Sequence, residues 1–187
     1  MKRYVAFLSG LPIGRNSLSG EKLQAMFSRL GFLGIETYLS SGNVTFLTTL
    51  VRIIAPLEAQ ISRFLSKETK EEVEVFIRLP EEIEKIAKLD PFAEEGETGA
   101  VFTVFLHEPV SKETTRRLEH ISGTDRFHVV GREIYWMRVA RGSQPPSPPV
   151  RLTQILEAPA TVRSCRTMKR LAAKYGNEAT ASARSRQ

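Results

Sequence analysis

Five cations crowd one short stretch near the end of the chain: Arg163, Arg166, Lys169, Arg170 and Lys174. The hydroxyls of Thr161, Ser164 and Thr167 lie among them. A guanidinium forks onto two oxygens of a phosphate or carboxylate in a way that an ammonium cannot match, and hydroxyls add further donors. On a 3.6-residue period Cys165, Met168, Ala172 and Tyr175 line one face, and the cations take up the remainder. This spacing predicts an amphipathic helix that docks by its apolar side and offers a phosphate-binding stripe on the other. The commoner use of such a pattern is a solvated face that closes a fold.

Two further places carry polar chemistry. The segment Gly10 to Ser17 joins a predicted strand to a predicted helix, where backbone amides can hold an anion beside Ser9 and Arg15. It lacks the Walker spacing, which needs four residues between its glycines and then Lys with Ser or Thr. A plain turn needs the same glycines. Thr37 to Asn43 sets hydroxyls and an amide at one hairpin end, as the rim of a ligand cleft or as ordinary turn chemistry. Ser9, Arg15, Ser41, Asn43, Arg163, Arg166 and Thr167 are therefore the candidate ligand-binding residues.

Metal and nucleophile chemistry find little support. His107, His120 and His128 have no ligand-like spacing, and no cofactor is implied. Cys165 beside Arg163 and Arg166 has the neighbours that activate a thiol, but a cysteine on an apolar helix face usually just packs. Phe102, Phe105, Tyr135 and Trp136 fall on predicted strands without the basic residue and Gly of an RNA-recognition signature, so core packing is the better reading.

The elements that must position these residues come in a recognisable order. Residues 3–9 form a short apolar run stopped by Ser9-Gly10, hence a buried strand. A helix follows, capped by Ser19 and carrying Leu23, Met26, Phe27 and Leu30. Ile35 to Leu39 and Val44 to Leu47 flank the turn Ser41-Gly42-Asn43 as a hairpin. A helix over roughly 51–66, with Pro56 in its first turn or kinking it, and an alternating strand around Val73, Val75 and Ile77 complete strand, helix, strand, strand, helix, strand. Pro80 opens another helix, and Asp90 to Gly99 reads as a linker.

The pattern then restarts: strand Val101 to Leu106, helix Ser111 to Ile121, strands Arg126 to Val130 and Ile134 to Val139. The prolines between 145 and 149 read as an extended connector. Helical pieces follow at about 151–157 and 165–175, the second capped by Ser164 and stopped by Gly176. The expected fold is α+β, two tandem ferredoxin-like plaits: a βαββαβ module over 1–79, a helix and linker over 80–99, and an incomplete βαββ module with C-terminal helices over 100–176. Residues 177–187 read as a disordered tail.

The totals agree. Hydrophobic residues make up 41% of the 187, enough for a packed core. A single cysteine excludes an internal disulfide framework and fits a reducing compartment. Neither a signal peptide nor a membrane span is expected, so a cytoplasmic location is. The net charge of +6 is unevenly placed. Residues 132–187 hold 11 Lys and Arg against 3 Glu, a balance of +8, whereas residues 1–131 hold 16 basic and 18 acidic groups. A confined basic segment favours an anionic partner.

Several stretches together resemble a bacterial family catalogued as domain of unknown function 1697. They are Tyr4 to Gly10 with Gly14, Gly31-Phe32 before Thr37 to Phe46, Asp90-Pro91-Phe92, Glu133-Ile134-Tyr135, and Ala160 to Leu171. The resemblance covers roughly residues 3–175 and implies two ferredoxin-like subdomains but no activity. The chain departs from the family's usual Arg-Gly-Ile-Asn-Val-Gly, having Ser9-Gly10-Leu11-Pro12-Ile13-Gly14, and has Cys165 where an aromatic is usual.

Three functions are compatible with these residues. The leading one is a binding module for a phosphate-bearing or other anionic ligand, nucleic acid included. Another is a small-molecule enzyme with its site in a cleft between the modules near Ser9, Arg15, Asn43 and Arg166. The third is a homo-oligomeric scaffold in which the open edge of an incomplete second plait pairs with another chain.

Overall fold

The run Tyr4 to Leu8, too short for a buried helix, lies within strand β1 (Lys2–Ser9) of the computed structural model of the chain. The structure describes residues 1–11, 18–38, 42–49, 53–93, 99–121, 125–138 and 150–176. Arg15, Ser41, the Pro-rich connector and the tail lie outside them. After β1 come α1 (Gly20–Arg29), β2 (Leu33–Tyr38), β3 (Asn43–Thr48), α2 (Ala55–Thr69), β4 (Glu74–Arg78) and α3 (Pro80–Lys88). Then follow β5 (Ala100–Phe105), α4 (Lys112–Glu119), β6 (Arg126–Val130), β7 (Glu133–Arg138), α5 (Val150–Leu156), β8 (Thr161–Ser164) and α6 (Cys165–Tyr175). The chain divides into two compact units, Met1–Glu82 and Ile83–Gln187.

The first unit holds an antiparallel sheet in the order β2-β3-β1-β4. Alternation sends Tyr4, Ala6 and Leu8 of β1 to one face, where α1 and α2 cover them with Leu23, Phe27, Leu57, Ile61 and Leu65. Each fully buried side chain of this size contributes roughly 1.5–3 kcal/mol of transfer free energy. Ser19 caps α1 by accepting the Lys22 N–H, and Pro56 occupies the first turn of α2, as the sequence predicts. The sequence gives no hint of Glu58, which is buried in α2 and accepts the Ile77 N–H at 2.6 Å, tying the helix to edge strand β4. Gly10 has a φ of +81°, and a Cβ there would stand 1.9 Å from the Glu72 carbonyl oxygen, so only glycine fits. Gly42 supplies the positive φ, +71°, that the hairpin turn needs.

The second unit repeats the plan in the order β6-β7-β5-β8. Phe102, Val104, Leu106, Ile134 and Trp136 form its core with Leu118 of α4 and Leu152 of α5. The registers correspond: Val5 pairs with Thr45 and Arg78 in one unit, Thr103 with Tyr135 and Arg163 in the other. Even the closing turn bonds match, Leu8 N–H to Gly42 O at 2.8 Å and Leu106 N–H to Arg132 O at 3.0 Å.

One expectation fails here. The second plait is complete, because Thr161–Ser164 pairs with β5 as its fourth strand. Four residues of which three are polar give no readable alternation, and the buried ones include an arginine. The open edge on which the scaffold reading rested is therefore filled. The faces of both sheets away from these cores are buried too, with Phe7, Thr45 and Arg78 in the first and Phe105, Tyr135 and Arg163 in the second.

Candidate functional site

Helix α6 starts directly from β8. Ser164 adopts an extended conformation at the N-cap and its Oγ accepts the Thr167 N–H at 3.2 Å, while the two side-chain oxygens are 3.0 Å apart in a second hydrogen bond. Both hydroxyls thus serve the helix start. Met168, Leu171 and Tyr175 are buried along one side. At Gly176 the helix stops in right-handed geometry, without the left-handed residue that the glycine suggested.

The other side of α6 is exposed and cationic. Arg166, Lys169 and Arg170, at i, i+3 and i+4, line an open depression of about 510 Å³ with Cys165, Ala173, Val101 of β5 and Asp90 beyond α3. Among the described residues, none of the three cations has an ion-pair or hydrogen-bond partner. Asp90 is exposed, and its Oδ1 accepts the Phe92 N–H at 3.3 Å. Among the described residues, three positive groups and one negative group therefore line a shared concavity beside the carbon of Val101 and Ala173 and the Cys165 thiol. Two further depressions, one beside Ser111 and Pro159 and one beside Gln24 and Leu33, have no Lys or Arg among the described residues of their linings.

The sequence candidates are only partly brought together. Arg166 reaches the depression, and Arg163 does not line it. Arg163 belongs to β8 rather than to the helix, and is buried with its Nη1 donating to Thr161 Oγ1 at 2.7 Å and Val162 O at 2.8 Å. Burial pulls its pKa down to about 10, which leaves it a cation at neutral pH. Asn43 is buried, and its Nδ2 donates to Tyr38 O at 3.0 Å across the hairpin, so the amide serves the turn. Ser9 pairs with Glu74 at the end of β1. Arg15 and Ser41 fall outside the described residues. The sequence reading missed Asp90, whose approach to α6 depends on tertiary folding and leaves no local signal.

Two other titratable groups, Tyr135 and His120, have local hydrogen-bond partners. Tyr135 donates its hydroxyl to Ile86 O at 3.4 Å; burial, reinforced by Glu133 and Cys165, pushes its phenol well above the ordinary range. His120 Nδ1 lies 2.7 Å from Arg116 O, within its own helix end. Among the described residues no group of three or more His, Cys, Asp or Glu is placed to hold a metal ion. No helix among them is long and apolar enough to cross a membrane.

Comparison with known proteins adds a relationship without an activity. No curated protein matches the chain in sequence. The solved structure of the conserved bacterial protein SP0830 from Streptococcus pneumoniae is similar over 94% of this chain and 98% of its own. At 18% identity and a TM-score of 0.69 that likeness concerns the fold alone. The family described as "Protein of unknown function (DUF1697)" matches residues 1–135, which include Asp90 and Val101 but not α6. Since that match spans well over half of the 187 residues, the chain belongs to the DUF1697 family.

Proposed function

We propose that this protein is a binding module for a phosphate-bearing or otherwise anionic ligand, seated in the depression on α6. The observation that supports it most directly is the convergence of Arg166, Lys169 and Arg170 on one concavity without partners among the described residues. A unit charge 4 Å from an anion contributes about 1 kcal/mol in bulk water and about 4 kcal/mol at the effective dielectric of a protein surface. Three such cations on one helix face add their attractions, less the cost of ordering each long side chain on the ligand. The excess positive charge of residues 132–187 adds a longer-range pull on anions.

Calorimetric titration of the full chain with pyrophosphate across a salt series tests this reading. Binding is expected at low ionic strength and declines as salt rises. The double variant R166Q/R170Q weakens it at least about tenfold, the equivalent of roughly 1.4 kcal/mol, while circular dichroism stays unchanged. An absence of binding in low salt, or full affinity in the double variant, removes the proposal.

A further inference from the structure

We infer that the ligand of this depression is a small phosphate ester bearing a hydroxyl or amino donor, with its phosphate on Arg166, Lys169 and Arg170 and its donor on Asp90. The inference rests on the reading of the depression as an anion site and names what that site selects.

Asp90 is the residue that requires it. A site for bare negative charge gains nothing from a carboxylate, which repels every anion that enters. The same carboxylate accepts a hydrogen bond from a donor on the ligand, and charge-assisted bonds of this kind are among the stronger ones. Asp90 has no ion-pair partner among the described residues. It lines the same depression as three cations, yet none of them pairs with it, and among the described residues the single hydrogen bond to its carboxylate is from the Phe92 N–H to Oδ1. The acidic and basic groups are thus spaced apart, as two poles for one ligand.

The walls and the volume narrow the class further. Val101, Ala173 and Cys165 form a surface suited to carbon rather than to a second charge. About 510 Å³ is within the range of pockets for small molecules. A nucleic-acid strand is held instead by a charged track interleaved with aromatic faces for its bases, and among the described residues no aromatic lines this depression.

The test compares two phosphate monoesters of equal charge, methyl phosphate and ribose 5-phosphate, by calorimetry on the full chain, with a ten-nucleotide RNA and pyrophosphate alongside. Ribose 5-phosphate is expected to bind about fivefold more tightly, the worth of one hydrogen bond. Asp90→Asn keeps the acceptor for the Phe92 N–H but removes the charge. It is expected to strengthen methyl phosphate binding and to shrink the preference for the sugar ester, a crossing of effects that a merely structural residue does not produce. Equal binding of both esters, in the parent and in the variant, overturns this inference while leaving the anion site standing. A ten-nucleotide RNA that binds far more tightly than either ester overturns it in favour of a nucleic-acid partner. Failure of pyrophosphate and both esters to bind at all removes the anion site itself.

Discussion

Arg29 shows how this protein treats a surface cation that has a partner. Its Nη1 and Nη2 both donate to the Glu68 carboxylate, and its guanidinium lies 5.1 Å from the centre of the Phe64 ring. The hydrogen bond from Arg29 holds the Glu68 carboxyl below the usual carboxylate range, against some desolvation and helped by the charges of Arg29, Lys67 and Lys70. A depressed carboxylate pKa contributes stability that is present above the unfolded-state value and is lost as pH falls through the folded one. Carboxyl-carbon NMR should therefore find Glu68 titrating below the unperturbed glutamate value of about 4.3, and Arg29→Gln should return it there. An ordinary midpoint in the parent protein contradicts the pair. Arg166, Lys169 and Arg170 lack any such partner among the described residues, which is what sets them apart chemically. Residue types alone do not make this distinction. Arg163 and Arg166 look alike in the sequence, yet one is buried against Thr161 and Val162 and the other lines a depression. Asn43 likewise reads as a ligand residue until its amide is found to close the hairpin.

At the scale of elements, local signals were legible where one residue has one job. Ser19, Ser111 and Ser164 each cap the helix that follows by accepting a backbone N–H. Because Ser164 joins β8 to α6, Ser164→Ala is expected to cost about 1 kcal/mol of stability, visible as a lower midpoint in urea, while Ser164→Asp retains most of it. An unchanged midpoint for the alanine variant shows that the cap adds nothing. Helix α2 begins at Ala55, a few residues later than the periodicity suggested, because Pro56 fits the first turn and not the interior. Strand β8 was missed for a different reason. Its buried positions are Thr161 and Arg163, so the hydrophobic alternation that identifies a strand is absent, and only pairing with β5 reveals it.

At the scale of the molecule, the duplicated plan was legible because strand and helix periods recur in the same order, but its register was not. The pairings place Arg78 in β4 and Arg163 in β8 at equivalent positions, each opposite the corresponding residue of the central strand. Each donates to the backbone carbonyl just before it, Ile77 O and Val162 O, at 2.8 Å. Arg78→Met and Arg163→Met are accordingly expected to destabilise in parallel, by about 2 kcal/mol each, through buried acceptors left short of a donor. Arg163→Met should do so without changing the affinity for pyrophosphate. A loss of anion binding in that variant at constant fold shows that the depression on α6 is not the binding site. Two variants of opposite sign in stability show that the shared register carries no shared energetic role.

The late position of β8 also has a consequence for how the chain is made. A ribosome delivers all four strands of the first sheet within residues 1–78, but the second sheet waits for residue 164. Until β8 is made, β5 borders the sheet with the backbone donors and acceptors of its β8 side unpaired, a template open to foreign strands. The second half of the nascent chain therefore keeps an open strand edge for longer than the first, and the residues that close it are Thr161 to Ser164.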